Sequence, residues 1–172
     1  METKGYARKE VLEDGSVRYY NAEGRIHRDD GPALEWANGG REWYQNGVHH
    51  RADGPAYEYA DGYREWCLNG DRHREGGPAV EGSEGTRMWY RNGLPHREDG
   101  PALEWPDGSK EWYRHGYRHR EDGPAIEEAD GVKEYWLSGN QMTEEAFRAL
   151  HPEAFAKSPV EKKRKTKTPG IG

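Results

Sequence analysis

The chain has 172 residues, about one domain's worth, with 34% charged and 32% hydrophobic residues and a formal net charge of −6. Those proportions lean toward disorder, yet seven Trp and eleven Tyr against two Phe supply large apolar areas from few side chains, which predicts thin sheet packing rather than a thick core. The single cysteine, Cys67, excludes an internal disulfide framework. No run of 18 apolar residues could span a membrane, and the N-terminal METKGYARKEV lacks the apolar stretch of a secretory signal. The expected location is a reducing cytoplasm. Charge is uneven: residues 157–172 hold six basic residues and one acid, a net +5, which leaves −11 on the rest of the chain.

Residues 1–12 form a lead-in. From residue 13 to 142 the chain repeats. The segment His-Arg-Asp-Asp-Gly-Pro-Ala at 27–33 returns at 50–56, 73–79, 96–102 and 119–125, each step 23 residues. Asn-Gly or a variant follows each tryptophan-bearing segment (Asn46-Gly47, Asn69-Gly70, Asn92-Gly93, His115-Gly116). Asp-Gly or a variant closes the unit (Asn38-Gly39, Asp61-Gly62, Glu84-Gly85, Asp107-Gly108, Asp130-Gly131). Asn-Gly and Asp-Gly between alternating segments signal two-residue type I′ hairpins, whose central residues both need positive φ. Each unit therefore reads as a short strand over 64–68 and a longer one over 72–82, bent at Gly-Gly-Pro because proline donates nothing to a ladder. The predicted fold is all-β, an elongated antiparallel array of five to six hairpin repeats.

The pattern W-Y-x-N-G-x-x-H-R-x-D-G-P-A-x-x-x-x-D-G resembles the MORN repeat in length, in its W-x-N-G-x-x-H core and in the closing D-G. It is closer to a D-G-P-A variant found in uncharacterised proteins of large bacteriophages and other large DNA viruses, which often end in a T-E-E-x-F helix as this chain does. The resemblance covers residues 13–155 and departs from MORN where H-R-x-D-G-P-A stands in place of H-G-x-G. It implies an elongated hairpin sheet used for binding or scaffolding.

Two-residue turns at both punctuation marks fix a register. Leu68 then faces Asp71, Cys67 faces Arg72, Trp66 faces His73 and Glu65 faces Arg74. Across the other turn Tyr59 faces Arg64, Glu58 faces Glu65 and Tyr57 faces Trp66. One face would carry Trp–His columns (Trp43–His50, Trp66–His73, Trp89–His96, Trp112–His119) and aromatic–cation pairs (Trp36–Arg41, Tyr59–Arg64, Trp105–Lys110). The other would carry opposed carboxylates (Glu35/Glu42, Glu58/Glu65, Glu104/Glu111, Glu127/Glu134), bridged by Arg51, Arg74 and Arg120, because like charges across a ladder are destabilising.

Carboxylates about 5 Å apart can hydrolyse glycosides, but this pair recurs and is neutralised by arginine, so the structural ladder is favoured. Column histidines about 10 Å apart cannot share one metal ion. No phosphate-binding loop, nucleophile elbow or zinc motif occurs, and no cofactor or enzymatic activity is expected. The third unit breaks the pattern, with Gly76 for Asp, Gly82 for an aromatic and Met88 for Glu. That region reads equally as a specificity point or as drift.

Thr143 caps a predicted helix with Glu144 and Glu145 in its first turn. Phe147 and Leu150 share a face, so residues 143–155 are expected to cap the array. Residues 156–172 read as a disordered basic tail, in which Lys162, Lys163, Arg164 and Lys165 match a nuclear-import or nucleic-acid cluster and equally a solvated run. An aromatic sheet face must be hidden by self-packing, homodimerisation or a partner. The leading expectation is a non-enzymatic viral module that binds a host protein, with inhibition as the expected consequence, through Tyr44, Tyr90, Tyr113, Arg72 and Arg118. The runner-up is nucleic-acid association through the tail and exposed aromatics, with nuclear location. A third reading is capture of a small nucleotide-like ligand between Trp and Arg.

Overall fold

A computed structural model describes residues 5–156. The basic cluster Lys162, Lys163, Arg164 and Lys165 lies outside the described residues. Among those described, thirteen strands pair antiparallel in sequence order, from Arg8–Val11 and Val17–Tyr20 through to Lys133–Leu137 and Asn140–Met142. Four two-stranded hairpins branch from this sheet, each built around an Asn-Gly-type turn, as in Cys67–Leu68 with Asp71–Arg72. The fold is thus an all-β array of hairpins with one short helix. Arg8–Val11, within the lead-in, is the sheet's first strand. No described helix is long and apolar enough to cross a membrane.

The two kinds of turn differ. At Asn46-Gly47 both residues have positive φ, 53° and 88°, and the same holds at Asn69-Gly70, Asn92-Gly93, His115-Gly116 and Ser138-Gly139. These are the expected two-residue turns, and Leu68 faces Asp71 and Cys67 faces Arg72 as predicted. At Asp61-Gly62 only the glycine is left-handed, at φ 94°. Gly62 N–H donates to the Tyr59 carbonyl, and Tyr59 N–H to the Tyr63 carbonyl, each at 3.0 Å. The loop therefore has three residues, a type I turn followed by a glycine bulge. The Asp61 carboxylate accepts from Tyr63 N–H at 2.9 Å and holds this form.

One extra loop residue moves every side chain across the sheet. Glu58 pairs with Arg64 and Tyr57 with Glu65, so Glu58 does not face Glu65 and Tyr57 does not face Trp66. The opposed carboxylates are replaced by an alternating ladder: Glu35, Arg41, Glu58, Arg64, Glu81, Arg87, Glu104, Lys110, Glu127, Lys133, each opposite the next. This register removes like-charge pairs and supplies opposite-charge ones. It also puts Trp36, Tyr59 and Trp105 on the face away from Arg41, Arg64 and Lys110, so the expected aromatic–cation pairs do not form. The opposite, carboxylate face carries Glu42, Tyr57, Glu65, Val80, Met88, Leu103, Glu111, Ile126 and Glu134 in succession.

The expected Glu58–Glu65–Arg74 bridge is likewise absent. Arg74 bonds Glu81 at 2.7 Å and the Pro78 carbonyl at 3.0 Å, and its guanidinium lies 3.7 Å over the Trp66 ring. Arg51 stacks on Trp43, Arg97 on Trp89 and Arg120 on Trp112 at 3.9–4.0 Å. Arg51 and Arg120 likewise bond Glu58 and Glu127, not Glu42 and Glu111. In each unit the arginine bonds its own loop and the glutamate seven residues on. Arg97 shows the full set: Asp99 at 2.9 Å, the Pro101 carbonyl at 3.2 Å and Glu104 at 3.1 Å.

The Trp–His pairing holds through backbone bonds, with His73 N–H donating to the Trp66 carbonyl at 3.0 Å and His50, His96 and His119 doing the same to Trp43, Trp89 and Trp112. The imidazoles then reach the next unit. The Nδ1 atoms of His50, His73, His96 and His119 accept the turn N–H of Asn69, Asn92, His115 and Ser138 at 3.1–3.3 Å. Ala33, Ala56, Ala79, Ala102 and Ala125 are fully buried where these elements meet.

The helix Glu144–Leu150 is capped by Thr143, whose Oγ1 accepts Ala146 N–H at 3.2 Å. Phe147 is buried against Tyr135, ring centroids 4.9 Å apart, whereas Leu150, expected to share that contact, is 62% exposed.

Glycine at position 100 is required by space. A Cβ there would sit 3.0 Å from the Arg97 guanidinium carbon. We expect Gly100→Ala to destabilise the protein by about 1–3 kcal/mol, and to cost only a few tenths in an Arg97→Ala background. A double-mutant cycle by chemical denaturation measures this coupling; equal costs in both backgrounds would refute the contact.

Candidate binding surface

On the carboxylate face four of the units build one polar centre each from a glutamate, a side chain two residues on and a donor seven residues on. The sets are Glu42/Tyr44/His49, Glu65/Cys67/Arg72, Glu111/Tyr113/Arg118 and Glu134/Trp136/Gln141. Glu42 is 4% exposed and accepts from Trp36 Nε1 at 2.7 Å, from the Tyr59 and Tyr44 hydroxyls at 2.9 Å each, and from His49 Nε2 at 2.9 Å. The Tyr57 hydroxyl donates to His49 Nδ1 at 2.7 Å. Glu65 takes both Nε and Nη2 of Arg72, at 2.9 and 3.2 Å, with the Tyr63 hydroxyl and the Cys67 thiol. Burial pushes the Cys67 thiol up to about 12, so it is a poor nucleophile.

Burial alone would raise the Glu42 pKa, but the hydrogen bonds from His49, Trp36, Tyr59 and Tyr44 outweigh it and hold the group at about 2. A carboxylate with four donors is fully engaged and is neither a general base nor a nucleophile.

The third unit lacks this centre. Met88 stands where the glutamate should be and Pro95 where its donor should be, so both halves of the interaction are lost together. Met88 was visible as a break in the repeat. Its correlation with Pro95 was missed, and the i, i+2, i+7 spacing is the signal that reveals it.

The predicted contact residues Tyr44, Tyr90, Tyr113, Arg72 and Arg118 do gather on one face. Most of them serve the buried carboxylates. Tyr44 bonds Glu42, Arg72 bonds Glu65, and Tyr113 and Arg118 both bond Glu111, at 2.8 and 3.1 Å. Tyr90, beside Met88, instead lies under the Arg72 guanidinium at 5.3 Å.

Open surface lies elsewhere, along the edge formed by the His-Arg-x-Asp-Gly-Pro loops. Four clefts, of about 490 to 640 Å³, separate successive loops, and each has a wall of tryptophan: Trp43, Trp66, Trp89 or Trp112. The largest lies between the loops of Arg74 and Arg97, where Gly76 replaces the loop aspartate. The rims mix charges. Asp29, Asp30, Asp53, Glu75, Glu98, Asp99, Glu121 and Asp122 are all exposed, against Arg91 and Arg114, which also line the clefts, and the five loop arginines. Four of the aspartates are bonded to those arginines. Asp29, Glu75 and Glu98 have no arginine partner among the ion pairs, and Glu121 lies 3.7 Å from Arg114 instead; Asp29, Glu98 and Glu121 have a histidine Nε2 at 3.2–3.7 Å.

No family model and no curated protein matches this chain.

Because the folded pKa of Glu42 lies below its ordinary 4.5, its ionised form stabilises the fold above that pH, and the contribution is lost as pH falls from 4.5 toward 2. A shift of this size corresponds to about 3 kcal/mol. Glu42→Gln is therefore expected to lower stability at pH 7 by a similar order, and the gap between variant and parent should close toward pH 2. Urea melts at several pH values check this; a gap independent of pH would count against the network.

Proposed function

We propose that the chain is a non-catalytic binding module that takes an extended, cationic segment of a protein partner along its row of clefts. The observation that carries this reading is the row itself: the same Trp-walled cleft, rimmed by acids and arginines, occurs four times between the five successive loops. Strand spacing sets successive clefts about 10 Å apart, a pitch that a peptide in extended conformation covers in about three residues. Repeat arrays present recognition surfaces in this way.

Chemistry narrows the partner. The net −11 outside residues 157–172 repels phosphates, which disfavours nucleic acid along the array. Each tryptophan is already stacked against an arginine at 3.7–4.0 Å, which leaves no gap for a base between them. Lysine and arginine side chains fit the rims, with long-range attraction speeding encounter. The saturated carboxylates of the opposite face support a structural role there.

A Lys/Arg-rich peptide of about twelve residues, long enough for several clefts, is expected to bind the full chain and alter tryptophan fluorescence. Binding should weaken as salt rises from about 0.05 to 0.5 M, since the attraction is screened. Glu98→Lys with Glu121→Lys should weaken it by about tenfold, roughly 1.4 kcal/mol for the two rim charges. Equal binding of an acidic control peptide, or indifference to both substitutions, would overturn the proposal.

A further inference from the structure

The row of clefts ends in a way that bears on the chain's own C-terminal segment. Tyr135 occupies the position of Trp112 one repeat later, but no His-Arg-x-Asp-Gly-Pro loop follows it. Phe147 of the helix Glu144–Leu150 stacks on Tyr135 instead, and Phe155 adds a ring 6.3 Å from Tyr135. The Arg148 guanidinium lies 3.9 Å over the Phe155 ring. The helix therefore fills the place of a sixth loop. The described chain stops at residue 156, one residue after Phe155 on Tyr135, in the repeat next to the last cleft, whose rim carries Glu98, Asp99, Glu121 and Asp122 with Arg97, Arg114 and Arg120.

We infer that residues 157–172 are an intramolecular occupant of this row, docking by charge into the clefts nearest the helix. This rests on the reading of the clefts as sites for cationic segments. Three observations converge on it. The segment starts at the end of the row. It carries Lys157, Lys162, Lys163, Arg164, Lys165 and Lys167 against one acid, Glu161, a net +5 opposite the −11 of the rest of the chain. Its 16 residues reach about 50 Å when extended, whereas spanning all four clefts takes about 30 Å. Tethering gives an effective concentration of order millimolar, so contacts too weak to hold a separate peptide suffice in cis. The segment then acts as a built-in competitor, and an outside partner must displace it.

The test uses the full chain with a nitroxide on Thr166→Cys; Cys67 is 2% exposed and escapes labelling. At low salt, backbone amides of the loops around Glu98 and Glu121 should lose most of their NMR intensity. The intensity should return in a second labelled chain carrying Lys162→Glu, Lys163→Glu, Arg164→Glu and Lys165→Glu. That charge-reversed chain should also bind the Lys/Arg-rich peptide more tightly than the parent. Intensity loss confined to residues 144–156, or loss at the loops that survives charge reversal, overturns the inference. If the peptide binds the charge-reversed chain while the label never reaches the loops, the clefts are cationic sites and the cis occupant is refuted. If the label reaches the loops but no separate peptide binds even the charge-reversed chain, the cis occupant stands and the partner reading falls.

Discussion

The arrangement of every unit depends on one buried-edge cation. In the fourth repeat, the Arg97 guanidinium lies on the Trp89 ring, against the Gly100 backbone, and hydrogen-bonds to Asp99, Pro101 and Glu104. It fastens the loop to the two strands that flank it, which the ladder already pairs with each other. A cation on tryptophan contributes about 0.5–2 kcal/mol, more as it loses water, and charge-assisted bonds add to that. The same contact explains the motif letter by letter. Arginine supplies the flat five-donor fork, aspartate takes Nε, glycine leaves room, and proline presents its carbonyl. In the third unit Gly76 removes the aspartate and adopts φ +75°, yet Arg74 keeps Trp66, Pro78 and Glu81. The clamp thus survives loss of one arm, and the loop it shapes borders the widest cleft.

Much of this was legible in the sequence. The 23-residue period, the turn positions, the Asn-Gly registers and the Thr143 cap all rest on short-range chemistry that a single chain displays. The second register was not legible from the turn dipeptide. Asn-Gly and Asp-Gly read alike, but Asp61 uses its carboxylate to hold Tyr63 N–H in a three-residue loop, while Asn46 enters the left-handed region itself. That difference of one residue exchanged the two faces and misplaced Glu58, Glu65 and Arg74. The charge pattern held the missing information. Only the longer loop sets each Glu of 35, 58, 81, 104 and 127 opposite a cation, and the two-residue alternative demands repeated Glu–Glu contacts.

The polar centres show a second limit. Their members are separated by two and seven residues, across a hairpin whose geometry must be known before the spacing has meaning. With it known, Met88 and Pro95 become one event rather than two. Losing the carboxylate alone would leave a part-exposed donor without its partner, and losing the donor alone would strand a largely buried charge at the larger cost, about 3–5 kcal/mol. Joint replacement by apolar residues avoids both. The Tyr and Arg side chains expected to meet a partner are mostly occupied for the same reason: a carboxylate buried to a few per cent exposure recruits whatever donors lie in reach.

Charge accounting separates the surfaces. The ladder face alternates sign strand by strand and is neutral over any pair of strands. The carboxylate face satisfies its anions internally with Arg72, Arg118, His49 and the phenols. The loop edge pairs four aspartates with its own arginines and Glu121 with Arg114, while the opposite turn edge keeps Asp61, Glu84, Asp107 and Asp130 exposed. Net charge therefore does not single out the loop edge. What distinguishes it is shape: Trp-walled clefts recur there between successive loops because each arginine holds its loop against the tryptophan of the strand before.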